Sequence, residues 1–420
     1  MLEDKSISKI ISLIQSKEVS VREVVEYYLK KIKKHNQTLN AIVLQIDEQK
    51  ILDEANSIDK KDHSKEKPLI GLPMACKDLF DIEGLPSTYG YPDFKNNIAK
   101  KNSLIVDRLK KNGAIIIGKT NTAELGVGGH TTNRLFGPTS NPYNISKSAA
   151  GSSGGAGSAV AAGLLPFADG TDMMGSCRAP AAYANIYGFR PTTGLIPTDR
   201  SGENRVDNFP ILTSPGCFAK TPEDMCILLD CIVGADSLDP FSISLNTSFK
   251  EHLKNKIEFS NIKVCWLSDL NGAYNFEHGI IEMCENKLKD LNNHNLEIEP
   301  LKSKINSNDL WECWTTLRAR SIFEDTISMN IDDIDKIIKL YDSIPESGLY
   351  DKSLSEEKRL EKFKIYCDFL HNKTKNNEDI LQLKKKILLE RKKLTDTDEY
   401  REIVKKINRR GDDYRKIGEN

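Results

Sequence analysis

Two segments of small residues carry the chemistry this chain could perform. One runs Ala150-Gly151-Ser152-Ser153-Gly154-Gly155-Ala156-Gly157-Ser158-Ala159, the other Gly170-Thr171-Asp172-Met173-Met174-Gly175-Ser176-Cys177-Arg178. Core packing does not select so many glycines, which bury no side chain and lose the most conformational freedom on folding. Such segments instead allow close backbone approach, with N–H groups converging on one point and hydroxyls placed to attack or to relay a proton. Those are the parts of an acyl-transfer site with an oxyanion hole. A serine nucleophile needs a base, which in many serine hydrolases is histidine. Here His35, His63, His252, His278, His294 and His371 lie in polar or charged stretches far from both segments, and only His130 is near them. A lysine is the better candidate. Pro73-Met74-Ala75-Cys76-Lys77-Asp78 reads as a short apolar strand ending in Lys77, and a lysine desolvated at the mouth of a buried strand has a lowered pKa and can act as a neutral base. Taken alone it would be a solvated strand end, as most lysines are exposed; its spacing from the serines gives it weight. A phosphate cradle at Gly151–Gly157 is disfavoured, because no Gly-Lys-Ser/Thr follows and the preceding Ser146-Lys147-Ser148 reads as no strand.

With Gly71-Leu72-Pro73 leading into Lys77-Asp78, the three blocks around Lys77, Ser152 and Ser176 resemble the amidase signature family in order and interval. Gly118-Lys119-Thr120-Asn121-Thr122-Ala123-Glu124, Phe136-Gly137-Pro138 with Asn141-Pro142, Gly188-Phe189-Arg190-Pro191-Thr192, and Pro215 with Thr221-Pro222-Glu223-Asp224 reinforce the likeness. It covers residues 1–240 well and the remainder poorly, and several ordered blocks are far more specific than one glycine-rich loop. The resemblance implies an α/β fold, a mixed β-sheet core covered by helices on both faces. It also implies a Ser-cisSer-Lys triad in which Ser176 attacks an amide carbonyl and Ser152 relays its proton to Lys77. A cis peptide beside Ser152 comes with that triad. The backbone N–H groups of Met173, Met174, Gly175 and Ser176 would hold the oxyanion, Asp172 and Arg178 would orient the loop, and Ser153 and Thr171 would hydrogen-bond within the network. His130 sits in a loop that lines the site in relatives, and both a substrate contact and a structural role are open for it.

The chain departs from the family pattern in the loop before and after Ser176 and at its C-terminal end. Met174 stands where a glycine is usual, which narrows the adjacent pocket and reads as a specificity feature; positive φ there would strain it. Cys177 replaces an aliphatic residue and reads as an inert small hydrophobe. At the other end, Arg409 to Asn420 looks like the helix that precedes the family's last strands, so the resemblance implies a truncated member with an open sheet edge.

Sixty Lys and Arg against sixty-one Asp and Glu leave a net charge of −1, which excludes a whole-protein field for nucleic acid or membrane. The lysine-rich stretch from about 373 to 420 alternates with acidic residues and reads as a solvated helix face. Nine cysteines without a C-x-x-C pair read as free thiols in a reducing, cytoplasmic compartment. The charged N-terminus is no signal peptide, no run of eighteen apolar residues appears, and no metal-ligand spacing or cofactor motif is present. With 39% hydrophobic residues in 420, a single amidase domain over 1–420 is expected, with a catalytic core over 1–240 and a divergent helical part over 241–420.

Several elements would position the motifs. Ile7, Ile10, Ile11 and Ile14 make one helical stripe, and Ser20-Val21-Arg22-Glu23 is a capping box opening a second helix with Val21, Val24, Val25, Tyr28 and Ile32 inward. Residues 56–67 read as a polar connector. Leu104 to Lys111 predicts a helix closed by Gly113, Ala114 to Ile117 a buried strand, Thr221-Pro222 a helix start with Gly234 past its end, and Ile262 to Leu267 a strand. Long charged helices are expected from about 275 onward. Three functional readings are open. The first is an amidase hydrolysing a small-molecule carboxylic acid amide to carboxylate and ammonia or amine through an acyl-enzyme, with no cofactor and a homodimer left open. The second is the A subunit of a glutamyl-tRNA amidotransferase, using the same triad on glutamine with partner subunits. The third is an inactive truncated remnant.

Overall fold

The computed structural model describes residues 2–314, apart from position 4 and positions 61–66, 200–211, 256–261, 271, 292–295, 297, 302–305, 308 and 312. The solvated face expected over 373–420 and the terminal helix expected over 409–420 lie outside the described residues. Contacts divide the chain at Trp311 into units Met1–Trp311 and Glu312–Asn420, and the sheets belong to the first.

Local signals set the N-terminal helices. In α1 (Ile7–Gln15) Ser6 accepts the Lys9 N–H, and the isoleucine stripe is buried. In α2 (Val21–Leu39) the capping box forms as the sequence predicts, Ser20 accepting the Glu23 N–H while the Glu23 carboxylate takes the N–H of Ser20. Strand β1 (Ile42–Gln45) leads to α3 (Glu48–Asp59), which runs into the stretch read as a connector. Its inward face is only Ile51, Leu52 and Ala55, too sparse a stripe to outweigh the polar residues around it. Its last residue, Asp59, accepts the N–H groups of Val21 and Arg22 at 2.7 and 3.0 Å and so caps α2 a second time.

Strand β2 (Pro73–Lys77), helix α4 (Leu104–Lys111) and strand β3 (Ile115–Thr120) adopt the expected pattern, and both strands are buried throughout. Gly113 turns α4 into β3 with φ +96°. The hairpin β4 (Ser140–Asn141) and β5 (Asn144–Ser148) corrects the reading of Ser146 to Ser148 as no strand. Most of β5 is exposed on both faces, so it carries none of the apolar alternation that betrays a half-buried strand. Next come α5 (Gly154–Ala161), β6 (Phe167–Asp172), α6 (Arg178–Ala184), β7 (Tyr187–Phe189), β8 (Ser214–Ala219) and α7 (Pro222–Ile232), the last capped by Thr221 with Pro222 in its first turn. Beyond them lie α8 (Phe249–His252), β9 (Val264–Trp266), α9 (Ile280–Lys289) and β10 (Ile298–Pro300). Where the sequence reads as helices alone after 275, β10 pairs parallel to β9. Three residues are too few to show a period.

The first sheet is mixed, in the order β1-β3-β2, with β2 parallel and β1 antiparallel to β3. The second, β6-β8-β7, is antiparallel. Strand β2 lies against β6, and α5 packs on β1, β2, β3, β6 and β8. Only small side chains permit that approach: a Cβ on Gly155 would come within 2.4 Å of the Asn121 nitrogen and 2.7 Å of the Ala41 oxygen. Both contacts are backbone and cannot swing aside, so Gly155→Ala is expected to destabilise the protein by about 2–3 kcal/mol. Urea unfolding checks this, and an unchanged midpoint would mean that α5 has room the geometry denies.

Candidate active site

Lys77 ends β2 with its side chain fully buried. Its Nζ lies 2.8 Å from each of three hydroxyls, Ser152 Oγ, Ser153 Oγ and Thr171 Oγ1, and among the described residues no carboxylate pairs with it. An ammonium would donate to all three oxygens. A neutral amine has two hydrogens and one lone pair, so one hydroxyl must then donate to nitrogen. Ser153 Oγ lies 3.3 Å from the Thr171 carbonyl, which can take its hydrogen, leaving Ser152 or Thr171 as that donor. Burial pulls the Lys77 pKa down to about 8, against the opposing pull of Cys177, Asp169 and Asp172.

Ser152 comes after a cis Gly151–Ser152 peptide and an Ala150 at φ +57°. Neighbouring backbone pins this turn: Thr131 N–H donates to the Ala150 carbonyl at 2.9 Å, and Ala123 N–H to the Ser152 carbonyl at 3.0 Å. Thr131 Oγ1 accepts the Gly154 N–H at 2.7 Å. The second segment wraps around one carboxylate. Asp172 accepts N–H groups from Gly175 at 2.8 Å and Cys177 at 3.1 Å, and Arg178 grips it through Nε at 3.0 Å and Nη2 at 2.9 Å. Burial would raise the pKa of Asp172, but the Arg178 guanidinium and these N–H groups outweigh it and bring it to about 2.

Positive φ in this loop falls on Gly175, at +106°, and not on Met174, so the unusual methionine sits in ordinary backbone and is 57% exposed. The Gly175 N–H, grouped by resemblance with the oxyanion donors, is engaged by Asp172. Those of Met173, Met174 and Ser176 meet no acceptor among the described residues. Ser176 is half-buried and its carbonyl accepts the Ser153 N–H at 3.3 Å. Its hydroxyl forms no hydrogen bond among the described residues. Thus Lys77, Ser152, Ser153 and Thr171 form one network and Asp172, Gly175 and Arg178 another, and among the described residues no hydrogen bond joins the Ser152 and Ser176 hydroxyls. His130 is exposed, its Nδ1 2.8 Å from Ser148 Oγ. Its backbone packs on the serine turn, since a Cβ on Gly151 would lie 2.7 Å from the His130 carbonyl carbon.

Two further buried features lie outside the residues that mark the site in the sequence. Lys119 and Asp78 form a fully buried ion pair at 3.1 Å, with Ser87 Oγ 2.9 Å from the ammonium. Asp169 in β6 accepts the Lys77 backbone N–H at 2.7 Å. The only sequence signal for it is a carboxylate inside an otherwise apolar strand, Phe167-Ala168-Asp169. Among the described residues no group of three or more His, Cys, Asp or Glu could hold a metal ion, and no helix is long and apolar enough to cross a membrane.

A family model described as Amidase matches residues 23–386. An acylamidase of Rhodococcus erythropolis is 37% identical over 283 residues, 66% of this chain and 57% of that protein. The A subunit of the glutamyl-tRNA(Gln) amidotransferase of Legionella pneumophila subsp. pneumophila is 35% identical over 306 residues, 71% of this chain and 62% of that one. The chain therefore spans about three-fifths of the length of these relatives. Among solved structures, a 6-aminohexanoate cyclic dimer hydrolase bound to its substrate superposes with a TM-score of 0.68 at 21% identity, over 90% of this chain and 74% of that one. A bacterial aryl acylamidase of the amidase signature enzymes does so with 0.68 at 24% identity and the same coverage. At these identities the likeness is one of fold, an α/β architecture with mixed sheets under helices.

Proposed function

The chain belongs to the amidase family, and on that premise we propose that it hydrolyses a small carboxylic acid amide through an acyl-enzyme on Ser176. Ser176 Oγ attacks the carbonyl carbon, its proton passes to Ser152 Oγ, and the Ser152 proton passes to the neutral Lys77 Nζ. The N–H groups of Met173, Met174 and Ser176 face the oxyanion that develops, while Asp172 and Arg178 hold the loop that carries them. Collapse breaks the C–N bond, and the leaving nitrogen takes the proton back from Lys77 through Ser152. Water then attacks the ester by the same relay, releasing carboxylate and restoring Ser176.

The observation that carries this reading is a buried lysine bound to hydroxyls alone, 2.8 Å from Ser152 and depressed to about 8. Such a lysine is a base in waiting, whereas a structural buried lysine would be paired with a carboxylate, as Lys119 is with Asp78. The test is labelling with a fluorophosphonate serine probe followed by peptide mapping: the adduct is expected on Ser176, and labelling elsewhere overturns the assignment. The likeness to the A subunit of a glutamyl-tRNA(Gln) amidotransferase supports a second reading, the ammonia-releasing component of an assembly acting on glutamine. Ammonia release from simple amides by the chain alone favours the first. Labelled Ser176 with no such release favours the second, and no labelling at all favours a remnant. The unpaired cysteines, Cys76, Cys177 and Cys217 among them, support a reducing, cytoplasmic setting.

A further inference from the structure

That mechanism leaves unused the carboxylate beneath the lysine. Asp169 is 1% exposed. Its Oδ1 takes the Lys77 N–H across the line where β2 lies against β6, and the weak Cys76 thiol donor is the other group that hydrogen-bonds the carboxylate. A buried carboxylate held by one backbone N–H and one weak thiol donor works against stability, so its presence there calls for an electrostatic reason. The groups that face it are Cys76 and Lys77 on β2, Lys119 on β3, Cys177 after the loop and Cys217 on β8. Burial pushes all three thiols up, which keeps them neutral, and Lys119 is already paired with Asp78. Lys77 is the one facing group whose charge changes during the proposed reaction.

We propose that Asp169 is a positioning residue for Lys77: it anchors the lysine main chain at the end of β2 and supplies the negative charge that stabilises the ammonium formed when the relay delivers its proton. This rests on the role given to Lys77 in the proposed hydrolysis. The energetics agree, because burial raises Asp169 only to about 6. It is therefore ionised across the range in which Lys77, at about 8, becomes neutral and able to accept a proton. Two anions favour the charged lysine, Asp169 and the ionised Asp172, so removing Asp169 lowers the Lys77 pKa further and weakens the base.

Asp169→Asn keeps an oxygen for the Lys77 N–H while deleting the charge. The measurement is the rate of Ser176 labelling by a fluorophosphonate probe as a function of pH, which needs no knowledge of the substrate. In the variant the rising limb is expected to move to lower pH by about one unit, with an alkaline plateau about tenfold lower. A limb that stays in place or moves to higher pH overturns the proposal, whatever happens to the rate. If Asp169→Asn does not fold, the wild-type protein with isotopically labelled lysine Cε carries the test. The Lys77 resonance is expected to show a second, smaller inflection near pH 6 as Asp169 ionises, and a single inflection overturns the proposal. Failure of Ser176 to label in the wild type would instead remove the catalytic reading itself.

Discussion

Ser176→Ala is expected to lower amide hydrolysis by roughly four to six orders of magnitude, the range seen when a serine nucleophile is deleted from an enzyme whose oxyanion donors remain. The fold should not notice. The Ser176 hydroxyl makes no hydrogen bond among the described residues, and the loop is held by Asp172 through Gly175, Cys177 and Arg178. The thermal midpoint should therefore shift by no more than about 1 kcal/mol would move it. Turnover and melting measured on one preparation separate the two effects. Near wild-type turnover would remove Ser176 as the nucleophile, and a large loss of stability would mean that the hydroxyl has a structural bond the geometry does not contain.

Lys77→Ala should cost about 10²–10⁴ in rate near neutral pH, because the relay then ends on a hydroxyl with no acceptor behind it. The wild-type rate should climb with pH through about 8, where the neutral amine accumulates, and the apparent value belongs to the coupled network of Lys77, Ser152 and Asp169. Stability carries the same signature with a definite sign. The folded protein holds the Lys77 proton less tightly than an unfolded chain, whose lysine sits near its ordinary value of 10.5. The wild type should gain stability as pH rises from about 8 to 10.5 and should carry the full cost of a buried ammonium below that window. In Lys77→Ala this part of the slope should vanish. Urea melts across the window, on both proteins, decide it; identical slopes would mean that Lys77 is not desolvated.

Much of this molecule was legible in its sequence because the deciding physics is local. The capping box at Ser20 and Glu23, the Thr221-Pro222 helix start and the turn at Gly113 each depend on a few adjacent residues. The small-residue segments announced close backbone approach for a similar reason: nothing larger than Gly155 fits between α5 and the Asn121 backbone. The β4–β5 hairpin and β10 escaped notice because an exposed or three-residue strand leaves no periodic trace.

The sequence by itself determined which residue types were present to do chemistry: a lysine ending an apolar strand, and serines inside glycine-rich turns. Tertiary structure decided what those residues are. Lys77 meets Ser152 from 75 positions away and Thr171 from 94, and only that convergence in a dry interior pulls its pKa to about 8. The same burial sets a carboxylate in the middle of β6 against the Lys77 main chain and commits the Gly175 N–H to Asp172. Charge, protonation and hydrogen-bond commitment depend on which groups share one water-free volume, and chain order does not state that until the sheets and helices have closed around it.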